Sequence, residues 1–180
     1  MLKITAGRLK GKGLESPVDA SIIRPTAAPV REAMFNLLQT HTHMDGLTVL
    51  DMFCGTGALG LEALSRGAAS VTFVDQSPAL AQRNAATCNM TTQCHFITAD
   101  ATQPLPITGP YDVIFLDPPY HKKLAQTCLQ ANHSLGKPGT LWVVETEPNG
   151  GGAKLAFSGP FDMLAHKIYG ERSLTLLKSQ

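Results

Sequence analysis

Val49-Leu50-Asp51-Met52-Phe53-Cys54-Gly55-Thr56-Gly57-Ala58-Leu59-Gly60 is the stretch on which the fold turns. It begins inside an apolar run, Leu47–Met52, passes an acid and a glycine-rich turn, and enters a helical pattern over Ala58–Ser65. That is a buried strand delivering its carboxyl end to a helix. Outward from it the same alternation recurs. Ser70–Asp75, Gln93–Thr98, Tyr111–Leu116 and Thr140–Glu145 read as strands. Between them, Pro78–Asn89 with Ser77 as N-cap and about Lys122–Leu135 closed by Gly136 read as helices. Strands this apolar, each followed by a helix, need cover on both faces, so the spacing predicts an α/β, doubly wound, mostly parallel sheet. Phe161–Tyr169 and Ser173–Leu177, turning at Gly170, read as an antiparallel hairpin that closes it.

The glycine turn is also the candidate cofactor site. Its letters contain Gly-x-Gly-x-x-Gly, where a small backbone lets a ligand come close to a helix N-terminus, so a dinucleotide has to be weighed. Asp75 ends the next strand twenty residues after Gly55, in position to bind ribose hydroxyls. Asp51, however, sits at the strand tip, where a diphosphate would be repelled and an amino-acid ammonium favoured. The ligand expected is therefore S-adenosyl-L-methionine, leaving S-adenosyl-L-homocysteine as product. Asp100, just past the third strand, is the candidate acceptor for the adenine amine, with Ala101 beside it. Gly55, Gly57, Phe53 and Gln76 complete the expected cofactor contacts.

A second constellation follows the fourth strand: Val113-Ile114-Phe115-Leu116-Asp117-Pro118-Pro119-Tyr120. Each proline fixes its own φ, and a residue before proline is driven out of the helical region, so Asp117 and the Pro118 carbonyl are held extended. Together they can accept the two N–H groups of a planar exocyclic amine. Tyr120 offers a face on which the base stacks. His121 reads as an exposed loop residue, and Lys122 and Lys123 as solvated.

Composition fits a globular protein of one structural unit, 43% hydrophobic and 16% charged over 180 residues. The start of the chain has no signal-peptide pattern and no run suits a membrane span, so a cytoplasmic protein is expected. Cys54, Cys88, Cys94 and Cys128 form no Cys-x-x-Cys pair, and no metal is expected. Six basic side chains against two acidic ones in residues 1–31 give that end a net +4 in a chain of net +1. The segment 3–14 reads as extended, with Arg8, Lys10 and Lys12 on one face where phosphates could bind. A helix of about three turns is expected from Pro29, with Thr26 as a candidate cap.

Val49–Gly60, Phe73-Val74-Asp75, Asp100-Ala101 and Asp117–Tyr120 together resemble the class I methyltransferases. With Gly7-Arg8, Arg24-Pro25-Thr26, Val30-Arg31-Glu32 and Phe35-Asn36 added, the chain resembles the bacterial small-subunit ribosomal RNA guanine-N2 methyltransferase family known as RsmD. The resemblance covers almost the whole chain. It implies a seven-stranded Rossmann-like sheet, methyl transfer from S-adenosylmethionine, and guanine N2 in 16S ribosomal RNA as acceptor. The expected substrate is an assembled or assembling small subunit, and the expected enzyme a monomer. Asp117, Pro118, Pro119 and Tyr120 are then the catalytic motif, and Arg8, Lys10, Lys12, Arg24, Thr26 and Arg31 the RNA contacts. Residues 1–44 become a basic extension packed on a catalytic domain over 45–180. Three other readings share parts of this pattern: an adenine-N6 methyltransferase, an RNA- and cofactor-binding assembly factor without turnover, and a nicotinamide oxidoreductase. The last lacks an evident proton-transfer pair such as Tyr-x-x-x-Lys.

Overall fold

Seven strands form one sheet in the order β3-β2-β1-β4-β5-β7-β6. They are β1 (Thr48–Met52), β2 (Ser70–Asp75), β3 (Cys94–Thr98), β4 (Tyr111–Leu116), β5 (Gly136–Thr146), β6 (Phe161–Tyr169) and β7 (Arg172–Ser179). The first five run parallel, and β7 pairs antiparallel with both β5 and β6. The computed structural model describes residues 2–17, 27–119, 124–147 and 159–180. Within them the helices are α1 (Ala28–Gln39), α2 (Ala58–Ser65), α3 (Ala79–Thr87) and α4 (Leu124–Asn132). The expected sheet class and closing hairpin are observed, and Gly170 makes the hairpin turn with φ +60.

Alternation of side chains divides the core into two layers. Val49, Val71, Phe73, Val113, Phe115 and Val143 face one cluster, with α1, α2 and α3 over it. Leu50, Met52, Ile114, Leu116, Trp142 and Val144 face the other, which α4 covers. Both faces of β1 and β4 are therefore apolar, as a parallel sheet between helices requires. Gly60 sets the distance of α2 from the sheet: a Cβ there would overlap the Phe73 ring and come to 2.8 Å of Val71 Cγ1.

Four local expectations need correction. Helix α3 begins at Ala79 with Pro78 in the cap position, and Ser77 makes no cap bond; its amide donates instead to Asp75. The pattern ending at Leu135 is α4 followed by a separate 3-10 turn, His133–Leu135, because Asn132 turns its side chain onto the 101–105 segment. Helix α1 carries Ala27 at its N-cap with no side-chain cap bond, and the candidate cap Thr26 lies outside the described residues.

The fourth correction is the largest. Residues 3–14 do not form one extended strand. Gly7–Leu9 is a 3-10 turn, Gly7 and Gly11 have φ +76 and +87, and the chain doubles back so that Ile4 and Lys12 bond at 3.0 Å. Glycine permits both reversals, and the α2 side chains fix them. Buried Glu62 accepts the Thr5 amide at 2.8 Å, the Thr5 hydroxyl at 2.7 Å and the Ala6 amide at 2.9 Å, and Ser65 Oγ accepts the Leu9 amide.

Candidate functional site

The sheet reverses its winding between β1 and β4, and ligands of open α/β sheets bind at the carboxyl ends of strands flanking such a point. Here those ends carry Asp51 and Asp117. Asp51 shares a row of the sheet with Phe73 and Phe115, and Asp75 and Asp117 each follow two residues later on their own strands. Period-two geometry therefore turns Asp51 and Asp75 toward one side of one rim, and Asp117, just past the end of β4, is near enough for its charge to act on Asp51.

Asp51 is buried, and its Oδ2 accepts the Gly60 amide at 2.9 Å. Burial pushes its carboxyl up to about 8; the Gly60 bond opposes the rise, and the charges of Asp117 and Asp75 add to it. Asp75 is half-buried. Its Oδ2 accepts the Gly55 amide at 2.9 Å and its Oδ1 the Ser77 amide at 2.9 Å, so it braces the glycine turn, with acceptor capacity remaining on both oxygens. The turn is tightly wound. Phe53, Gly55 and Gly57 have φ 59, 50 and 75, and Phe53 packs on the second core cluster. A phenylalanine in the left-handed region is rare and strained, and here the strain sits at the site.

The remaining cofactor candidates are more open. Asp100 is exposed and its Oδ1 accepts the Thr102 amide and hydroxyl at 2.9 and 2.8 Å, bonds that hold its carboxyl below the usual range. Ala101 is buried beside it and Gln76 is exposed. Asp117 is half-buried, Pro118 buried and Pro119 exposed. Tyr120, with Lys122 and Lys123, lies outside the described residues, as do Arg24 and Thr26.

Arg8, Lys10 and Lys12 are not at this rim. Arg8 donates to Gln93 Oε1 at 2.6 Å, beside the amino end of β3, and Leu9 bonds Ser65 at the far end of α2. Arg8, Lys10 and Lys12 are exposed there, on a tight turn rather than along one strand face. Arg31 is corrected outright as an RNA contact. It is fully buried and donates to the Lys3 carbonyl, and burial lowers its guanidinium below the usual value. Its place on the same helix face as Phe35 and Leu38 was the available signal. Reading the sequence also missed three polar side chains, Glu62 and Ser65 on apolar α2 and Asn84 on α3, which grip the amino-terminal segment.

A cavity of about 400 Å³, lined by Leu47, Asp112, Lys137, Thr140, Leu141 and Lys178, opens at the amino ends of β4 and β5. It is at the opposite end of the sheet from the acidic rim and cannot be the acceptor site. No cluster of metal-ligating side chains occurs among the described residues, and none of their helices is long and apolar enough to cross a membrane.

Comparison with known proteins agrees with this architecture. A family model described as Conserved hypothetical protein 95 matches residues 2–178. Ribosomal RNA small subunit methyltransferase D of Haemophilus influenzae is 36% identical over 156 residues, covering 81% of this chain and 79% of that protein. Its Escherichia coli namesake is 34% identical, covering 83% and 77%. The solved structure of Escherichia coli yhhF superposes with a TM-score of 0.82 at 26% identity, covering 99% of this chain and 98% of that one.

Proposed function

The chain belongs to the family described as Conserved hypothetical protein 95, with ribosomal RNA small subunit methyltransferase D among its relatives, and from that premise we propose its reaction in detail. It is an rRNA methyltransferase. The donor is S-adenosylmethionine, the acceptor is the N2 amine of a guanine in 16S ribosomal RNA, and the substrate is the assembled or assembling small subunit in the cytoplasm. The enzyme works as a monomer.

The observation that carries this reading is the convergence of Asp51, Asp75 and Asp117 on one rim, where the charges of Asp75 and Asp117 fall on buried Asp51. Such a rim suits a cofactor with a sulfonium and an ammonium, and disfavours a diphosphate. Asp51 lies nearest the glycine turn and gives up its proton to pair with the ammonium, Asp75 takes the ribose hydroxyls, and Asp100 with Ala101 the adenine edge. Phe53, Gly55, Gly57 and Gln76 line the space between them. S-adenosylmethionine, when bound, supplies an electrophilic methyl group.

The protein's own work is on the acceptor. An exocyclic base nitrogen is a weak nucleophile because its lone pair is delocalised into the ring. Asp117 and the Pro118 carbonyl accept its N–H groups, hold the amine in line and leave the lone pair facing the methyl. Positive charge grows on nitrogen in the transition state, and the fixed Asp117 carboxylate stabilises it and takes the proton. Pro119 keeps this loop extended, and Tyr120 stacks on the splayed base. Residues 1–44 form the RNA-facing extension of the catalytic domain 45–180, with Arg8, Lys10, Lys12, Arg24 and Thr26 as its contacts. Transfer of a tritiated methyl group to small subunits lacking the modification, by wild type and by Asp117→Ala, tests the assignment. Wild-type turnover by the variant overturns it.

A further inference from the structure

Asn84 lies within α3 and is fully buried. Its Oδ1 accepts the Glu15 amide at 2.7 Å, and its Nδ2 donates to the Glu15 carbonyl at 3.0 Å. One side chain thus pairs with both backbone groups of a residue, as a neighbouring strand would. The same Nδ2 also donates to the Thr56 carbonyl at 2.9 Å, inside the glycine turn. Both of its hydrogens are then used.

The Thr56 carbonyl and the Gly57 N–H belong to one planar peptide. Its other edge is held as well, because the Gly57 amide donates to the Cys54 carbonyl at 2.7 Å. Asn84 therefore sets the orientation of a peptide in the middle of the cofactor turn. At its other end it holds Glu15, two residues before Pro17, on the segment that leads to Arg24 and Thr26. These contacts are not independent. If Glu15 withdraws, Oδ1 is left buried without its acceptor role, and a side-chain rotation that repairs this gives up the Thr56 bond.

We propose that Asn84 is a positioning residue that makes the RNA-facing segment and the cofactor turn one mechanical unit, so that cofactor binding orders the extension and RNA binding tightens cofactor. The proposal rests on the methyltransferase reading above, and its test separates the two. The ordinary alternative is that Asn84 only anchors a loop, in which case it contributes to stability and transmits nothing.

Hydrogen exchange of the full chain with and without saturating S-adenosyl-L-homocysteine decides between them. The reporting amide is Leu14, which donates to the Leu2 carbonyl at 2.9 Å and so keeps its own partner when Asn84 is replaced. In the wild type, ligand should slow exchange at Gly55, and at Leu14 and Glu15 by about tenfold, the effect of one stabilised hydrogen bond. In Asn84→Ala the Gly55 response should persist, and the Leu14 response should vanish while Thr5 and Ala6, held by Glu62, stay protected. Asn84→Ser serves in the same way if the alanine variant does not fold. A Leu14 response that survives either substitution overturns the proposal, as does a wild-type Leu14 that ignores a ligand protecting Gly55. Ligand that fails to protect Gly55 at all overturns the cofactor reading beneath it.

Discussion

The Gly55 amide and the Asp75 carboxylate are joined by a 2.9 Å hydrogen bond that ties the cofactor turn after β1 to the tip of β2. Asp75 therefore braces the turn, and under the proposed function it also receives the ribose. Asp75→Ala should weaken S-adenosyl-L-homocysteine binding by about 1.5–3 kcal/mol, the cost of losing hydrogen bonds to a charged group. Titration calorimetry measures it directly, and unchanged affinity would remove Asp75 from the site.

Asp51 makes folding stability depend on pH. Its folded value, about 8, lies above the ordinary 3.8, so the folded state holds a proton that the unfolded chain has released. The stability this contributes is complete below about pH 4 and is lost as pH rises toward 8, at up to about 1.4 kcal/mol per unit. Asp51→Asn, which keeps an oxygen for the Gly60 amide, should therefore gain on the wild type steadily from pH 5 to pH 7 in urea melts. Parallel pH profiles for the two proteins would show that Asp51 stays ionised when buried.

Gly60→Ala should destabilise by about 1–3 kcal/mol, because the new methyl has to displace the buried Phe73 ring or push α2 from the sheet. Chemical denaturation tests this. A neutral effect would mean that α2 shifts freely over β2.

Replacing Arg8, Lys10 and Lys12 together with alanine should lower RNA affinity and reduce its log–log salt slope by roughly 2–3, on duplex-like RNA. Arg31→Ala should behave differently. Its side chain is buried against the Lys3 carbonyl, so the loss should appear in the unfolding midpoint, with the salt slope unchanged. A triple variant with the wild-type slope would make the amino-terminal turn a merely solvated corner.

The inner strands were readable because burial on both faces demands continuous apolar runs, and Ser70–Asp75 and Tyr111–Leu116 were read at their observed limits; the largely exposed edge strand Phe161–Tyr169 was legible instead from the hairpin turn at Gly170. The strand-end acids were legible only as a group: one alone can be a helix cap or a loop residue, but Asp51, Asp75, Asp100 and Asp117 mark the ends of successive strands, at the edge where such sheets bind ligands. What periodicity could not supply is contact between distant segments. Alternate basic residues at 8, 10 and 12 looked like a strand face, yet Glu62 and Ser65, more than fifty residues away, hold that chain in a turn. Asn84 was invisible for the same reason, since its partners Glu15 and Thr56 come from two other elements.

Under the proposed function Asp117 and its neighbours direct a methyl group to guanine N2, which nucleoside mass spectrometry reads out. Small subunits purified from a strain lacking the modification are incubated with S-adenosylmethionine and either wild type or Asp117→Ala, then digested to nucleosides. The wild type should yield N2-methylguanosine, and the variant should lose at least about a hundredfold in rate, within the range that positioned acid–base and electrostatic groups supply. Methylated adenine in place of N2-methylguanosine, or an unimpaired Asp117→Ala, would contradict it.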